Sequence, residues 1–302
     1  MPTTRRTGAA LTRALFTLAA VAVVVIGVGL YFHKGIGPLP DPEGCAADVG
    51  GVSVLLSTEQ GENAALISAV AVRRGLPARA VSIALATAFQ ESKLRNLTSG
   101  DRDSLGLFQQ RPSQGWGTAA QITDPYYAAN RFYDALQKIH GYQGMRITEA
   151  AQKVQRSAYP EAYEGHAADG RALASALTGF SATKFTCVVH APATSAATST
   201  LGGNGLTARA DAVRQDLNKA FGHQPAGNLS KGGTGFDVQG TAGPRKRWAM
   251  ASYLVAQAKR LDIAHISLDG RTWTRGSASE KGWRSASGSS RALHVDVLGG
   301  TG

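Results

Sequence analysis

Glu91 and Ser92 end an apolar run, Ala84-Leu85-Ala86-Thr87-Ala88-Phe89-Gln90, and fifteen residues after the glutamate comes Gly106-Leu107-Phe108-Gln109-Gln110-Arg111-Pro112. A glycosidic oxygen needs a proton from a carboxylic acid before its bond can break, and a glutamate closing an apolar helix is a candidate donor. Hydrolysis with inversion needs a second carboxylate, about 6.5 to 9.5 Å from the first, to activate water. Asp101 and Asp103 are the candidates, and both are equally ordinary turn formers beside Gly100 and Arg102. Trp116, in Gln114-Gly115-Trp116-Gly117-Thr118, is either an indole platform for a sugar ring or a loop anchor.

Helices must position these groups. Leu66, Val70 and Arg73 to Gly75 mark one helix and its end; Pro77 opens a second, with Val81, Ala84, Leu85 and Ala88 on one face. Thr123-Asp124-Pro125 starts a third and Thr148-Glu149 a fourth, while the glycine-rich stretch 99–118 reads as turns with a small irregular or β element. Residues 207–221 and 245–262 read as helices, and Gly235–Val238, Ala264–Leu268 and Ala292–Val297 as strands.

Glu91-Ser92, the Gly106–Gln110 segment and a late Ser157-Ala158-Tyr159, with Ala162-Tyr163 following, resemble the goose-type lysozyme and soluble lytic transglycosylase superfamily over residues 55–180. The resemblance implies a lysozyme-like, mainly α domain whose cleft binds the glycan strands of peptidoglycan. Glu91 would act as acid and then base, Ser92 would orient it or meet substrate, Gln109 would line the cleft, and Tyr159 would donate a hydrogen bond near the carboxyl. No cofactor is called for. A transglycosylase uses one glutamate and lets the muramyl 6-hydroxyl attack; a hydrolytic muramidase enlists Asp101 or Asp103; a non-catalytic glycan-binding scaffold would need neither.

The C-terminal pattern, a Gly-x-Asp-Val strand, a long helix and a final His-x-Asp-Val, resembles an α+β domain appended to actinobacterial cell-wall hydrolases and distantly akin to zinc-dependent D-Ala-D-Ala peptidases. Asp237 and His294 match two zinc ligands of that pattern, but Ser230 stands seven residues before Asp237 where a histidine belongs, and His223 is fourteen before it. Catalytic zinc wants three protein ligands, so the expectation is no metal and a degenerate, wall-binding module.

The expected fold class is therefore multi-domain: a lysozyme-like mainly α domain and a small α+β C-terminal domain, after one N-terminal transmembrane helix. Residues 14–32 contain nineteen uncharged positions, about 28 Å as a helix, which matches a hydrocarbon core. Arg5, Arg6 and Arg13 before them predict a cytoplasmic tail over 1–13 and a single-pass protein of the cell membrane with its bulk outside; a cleaved signal peptide is the alternative. Proline- and glycine-rich 33–44 and Ala-Thr-Ser-Gly-rich 191–205 read as linkers, leaving domains at 45–190 and 206–302. In an oxidising compartment Cys45 and Cys187 are expected to form one bridge rather than remain free thiols.

A composition with 43% hydrophobic residues excludes a wholly disordered chain, and two cysteines exclude a disulfide-dense miniature. The net charge is +11, and after residue 190 fourteen Lys and Arg face seven Asp and Glu. That balance points to anionic wall polymers rather than nucleic acid, since no aromatic-basic motif accompanies it.

Overall fold

Short local signals start most elements of the computed structural model, which describes residues 41–156, 161–191, 200–240, 243–286 and 291–299. Strands β1 (Gly44–Val49) and β2 (Val52–Leu56) form a hairpin across Gly50-Gly51, whose φ values of 59° and 80° supply the left-handed turn that matches strand twist. Helix α1 (Thr58–Arg73) begins with a capping box between Ser57 and Gln60. Helix α2 (Ala78–Ser92) starts after Pro77 and is buried without interruption from Ala80 to Ala88. A helix apolar on every side must lie inside the core.

The short α3 (Ala119–Ile122) precedes α4 (Pro125–Gln137), capped by Asp124, then α5 (Ile147–Gln155) and α6 (Ala167–Leu177). Strand β3 (Phe185–Val188) then returns to pair with β1, giving the antiparallel order β2-β1-β3. That register sets Cys45 directly opposite Cys187, and the two form a disulfide.

Helix α7 (Ala208–Phe221) leads into β4 (Ala226–Leu229) and β5 (Gly235–Val238), followed by α8 (Pro244–Ala256) and strands β6 (Ile263–Leu268), β7 (Arg271–Thr274), β8 (Arg284–Ser285) and β9 (Leu293–Val297). The second sheet is antiparallel throughout, in the order β4-β5-β9-β6-β7-β8.

The expected fold class is corrected on two points. Among the described residues there are eight α-helices and two antiparallel sheets, and Pro42–Gly302 forms one compact unit rather than an α domain tethered to an α+β domain. The cause is packing between the two halves: α1 lies against both α7 and α8, and α8 also packs on α6 and β3. Polar contacts reinforce it. Trp273 Nε1 donates to the Cys187 carbonyl and Trp283 Nε1 to that of Phe185, each at 3.0 Å, and the Tyr126 and Tyr253 hydroxyls meet at 3.0 Å. At the described ends of the two expected linkers, Glu43 accepts from the His190 amide at 2.9 Å and from Lys259 Nζ at 2.6 Å, and Leu201 bridges Thr207; residues 33–40 and 192–199 lie outside the described residues.

The second correction concerns the membrane. No helix among the described residues is long and apolar enough to cross a bilayer, so the single-pass, membrane-anchored localisation is not supported. The predicted spanning segment 14–32 and its flanking tail lie outside the described residues.

Candidate functional site

Glu91 stands one residue from the end of α2, and the chain leaves that helix through two left-handed residues, Lys93 (φ 55°) and Leu94 (φ 58°). Left-handed backbone costs a side-chain-bearing residue roughly 1–2 kcal/mol. Neighbours hold the turn in place. Leu94 is fully buried, Gln60 Nε2 donates to the Lys93 carbonyl and Asn63 Nδ2 to the Leu94 carbonyl, both at 2.8 Å. The rigid first helix thus fixes the direction in which α2 presents its last turn.

Ser92 is buried, and its hydroxyl lies 2.7 Å from the Leu107 carbonyl and 3.0 Å from that of Ala88. It is committed to backbone, clamping the Gly106–Gln110 segment onto α2. The far side of the segment is held by Gln155 Nε2, which donates to the Phe108 carbonyl at 2.8 Å. Gly106 has φ 73°, and a Cβ there would meet the Ile122 carbonyl oxygen at 2.6 Å, so only glycine fits. Phe108 is buried and stacks on Phe132, which makes it a core anchor of the segment. Gln109, half-buried at φ 47°, turns its side-chain nitrogen back to the Gly106 carbonyl at 3.2 Å.

The carboxylate itself meets Tyr163, whose buried ring brings its hydroxyl 2.7 Å from Glu91 Oε1. A tyrosine hydroxyl that donates here orients the carboxyl group. Tyr159, expected in this role, lies outside the described residues. The sequence carries Ala158-Tyr159 and Ala162-Tyr163 four residues apart, so pattern alone could not separate them. Sequence reasoning also missed His166, which stacks on Phe89 at 5.2 Å between ring centroids. Burial, and then the Lys93 charge, lower its pKa below the ordinary histidine value.

The candidate second carboxylates are placed differently. Asp103 accepts from Arg111 Nε at 2.6 Å and from the Ser113 amide at 2.8 Å. The Ser113 amide, then the Arg111 guanidinium, hold its carboxyl well below the usual carboxylate range. It is the anchor of the loop leading to Pro112. Asp101 is exposed, with Arg102 3.9 Å away. Trp116 is half-buried, its carbonyl accepts from the Tyr127 hydroxyl at 3.1 Å, and its side chain lines a separate pocket with residues of α4 and α5.

In the second sheet, Asp237 and His294 are cross-strand partners on β5 and β9. His294 Nδ1 lies 2.7 Å from Asp237 Oδ1, and Nε2 lies 3.0 Å from Asp296 Oδ2. Ser230 Oγ is 3.1 Å from His294 Nε2 and donates to Asp296 Oδ1 at 2.5 Å. The Asp296 hydrogen bond first, with that of Asp237 behind it and against the effect of burial, raises the His294 pKa. Both ring nitrogens of His294 are engaged by carboxylates, and Ser230 stands where the zinc pattern has a histidine. These residues therefore do not fit the three-ligand zinc site of the peptidases that the C-terminal pattern resembles. His223 is exposed in the turn after α7, and among the described residues no group of three His, Cys, Asp or Glu is arranged to hold a metal.

The chain matches no family model and no curated protein.

Proposed function

We propose that this chain cleaves the glycan strand of peptidoglycan at the bond between N-acetylmuramic acid and N-acetylglucosamine, as a lytic transglycosylase using Glu91 alone. One observation carries the reading: Glu91 stands at the end of its helix with one oxygen bound by the Tyr163 hydroxyl at 2.7 Å and the other without a hydrogen bond among the described residues. The resemblance of Glu91-Ser92 and Gly106–Gln110 to that superfamily supplies the substrate class.

The chemistry follows from one carboxyl group. Glu91 gives its proton to the glycosidic oxygen as the bond to the muramyl C1 breaks, and Tyr163 stabilises the carboxylate that results. Glu91 then takes the proton of the muramyl 6-hydroxyl as that oxygen attacks C1, closing a 1,6-anhydro ring and regenerating the acid. Water is not consumed. The engagement of Asp103 with Arg111 and Ser113 favours this route over the hydrolytic one, because a carboxylate so firmly bound is a poor base. The second sheet, whose His294 is held between Asp237 and Asp296, acts in this reading as a brace and a wall-facing basic surface rather than as a peptidase.

The test is digestion of purified peptidoglycan by the wild-type chain and by Glu91→Gln, with mass spectrometry of the products. The expected result is anhydro-ended fragments that vanish in the variant. Reducing ends would shift the reading to hydrolysis, and binding without any cleavage would replace it with a scaffold.

A further inference from the structure

Beside the Gly106–Gln110 segment lies a pocket of about 620 Å³ that the cleavage chemistry leaves unused. Its apolar wall includes Trp116 and Val154, and around it stand four cations, Arg131, Lys138, Lys153 and Arg156. Arg131 and Lys138 are seven residues apart, two helical turns, so α4 presents both from one face, while Lys153 and Arg156 come from the end of α5. Among the described residues lining the pocket Asp134 is the sole acid, and its carboxylate is shared between Arg74 at 2.8 Å and Arg131 at 3.8 Å. Lys153 has an exposed partner, Glu149, at 3.9 Å one helical turn before it. Arg131 Nε is buried with no hydrogen-bond partner among the described residues. An apolar wall with a rim of four cations against one lining acid fits a ligand that is itself part apolar and part anionic.

We infer that this pocket takes the acidic peptide branch borne by the muramyl residues of the glycan strand. The choice of ligand rests on the glycan-cleavage reading; the chemistry of recognition does not. Alanyl methyl groups suit Trp116 and Val154, and the glutamyl and terminal carboxylates suit the rim. Position agrees as well, because the α5 residue adjoining Val154 and Arg156 is Gln155, the side chain that holds the Phe108 carbonyl. One wall of the pocket is therefore tied to the segment clamped onto the Glu91 helix. The pocket makes the chain prefer peptide-bearing strands over stripped ones.

The test measures equilibrium binding to the full chain carrying Glu91→Gln, which prevents turnover. The probes are a disaccharide tetrapeptide, the same disaccharide without peptide, the free tetrapeptide and a glycerol phosphate oligomer. Binding of both peptide-containing probes is expected, with the disaccharide tetrapeptide at least about tenfold tighter than the bare disaccharide and both weakened by salt. Lys138→Glu with Lys153→Glu, both exposed, abolishes that advantage, whereas Lys138→Arg with Lys153→Arg keeps it. Equal binding of the two disaccharides, indifference to charge reversal, or capture of the phosphate oligomer in preference to peptide overturns the inference. A wild-type chain that binds the free peptide at this pocket but cleaves no glycan would overturn the cleavage reading alone; one that cleaves bare and peptide-bearing strands with equal affinity would overturn the inference alone.

Discussion

Under the proposed glycan-cleavage chemistry, the Tyr163 hydrogen bond is what sets Glu91 apart from an ordinary helix-end glutamate. Tyr163→Phe keeps the buried ring and removes only the hydroxyl, so the fold is expected to persist while kcat falls about 10- to 100-fold, the worth of one hydrogen bond to a charged group. Steady-state assays of muropeptide release, with KM nearly unchanged, check this. Asp103 should behave in the opposite way. Asp103→Asn weakens the anchorage of the loop before Pro112, lowering thermal stability, yet anhydro products persist; their loss in favour of reducing ends would identify Asp103 as a base. Because its folded pKa is depressed, the stability Asp103 contributes is present above the ordinary aspartate value of about 4 and is lost only as pH falls through the folded value. Glu91, Ser92 and the Gly106–Gln110 run were legible in the sequence as a set. The partner of Glu91 was not, since two Ala-Tyr pairs four residues apart in sequence offer the same local signal.

At the level of elements, the site depends on two clamps. Ser92→Ala removes the donor to the Leu107 carbonyl and leaves that oxygen unpaired inside the protein, at a cost of about 1–3 kcal/mol. Faster hydrogen exchange at the Leu105 and Gln110 amides, which bond each other's carbonyls, would report the loosened segment. The second clamp ties strands of the larger sheet through His294. His294 is flanked by Asp237 on β5 and Asp296 on β9, with Ser230 and, on β6, His265 also facing Asp296. A raised folded pKa means its stabilisation is fully present below about 6.5 and is lost as pH rises through the folded value. Burial opposes ionisation of Asp296, but hydrogen bonds from His265, His294 and Ser230 hold its carboxyl low, so its own contribution disappears only in strong acid. The melting temperature of the wild type is expected to decline through that alkaline window more steeply than that of His294→Gln; parallel curves would refute the clamp. The helix starts were read correctly at Pro77 and Asp124 because caps are local. Strands β1, β2 and β3 were missed because each is short, and β3 pairs with β1 across more than a hundred residues of intervening chain.

For the whole molecule, the disulfide joins residues 142 apart in sequence, and a loop of that length predicts about 5 kcal/mol of stabilisation in the chain-entropy model. Reduction, or Cys45→Ala with Cys187→Ala, should lower the melting temperature by several degrees without altering the site, which calorimetry and the muropeptide assay together can read. The contacts of α1 and β3 with the second half have a further consequence. Heating should give one cooperative transition, and a fragment ending at residue 191 should be loosely packed, because it leaves α1 without α7 and α8 and the Phe185 and Cys187 carbonyls without their tryptophan donors. Two separate calorimetric transitions would restore the picture of independent domains.

Composition and spacing by themselves determined the helical character around Glu91, the cap positions, the three strands of the C-terminal pattern and the pairing of the two cysteines, because each rests on residues adjacent in sequence or on there being only two thiols. Tertiary structure alone decided that the halves form one body, that Ser92 serves the backbone, that Tyr163 reaches Glu91, that Asp103 is spent on Arg111 and that His294 is closed between two carboxylates. Those outcomes depend on distances between residues tens to hundreds of positions apart, and local propensity and periodicity carry no information at that range.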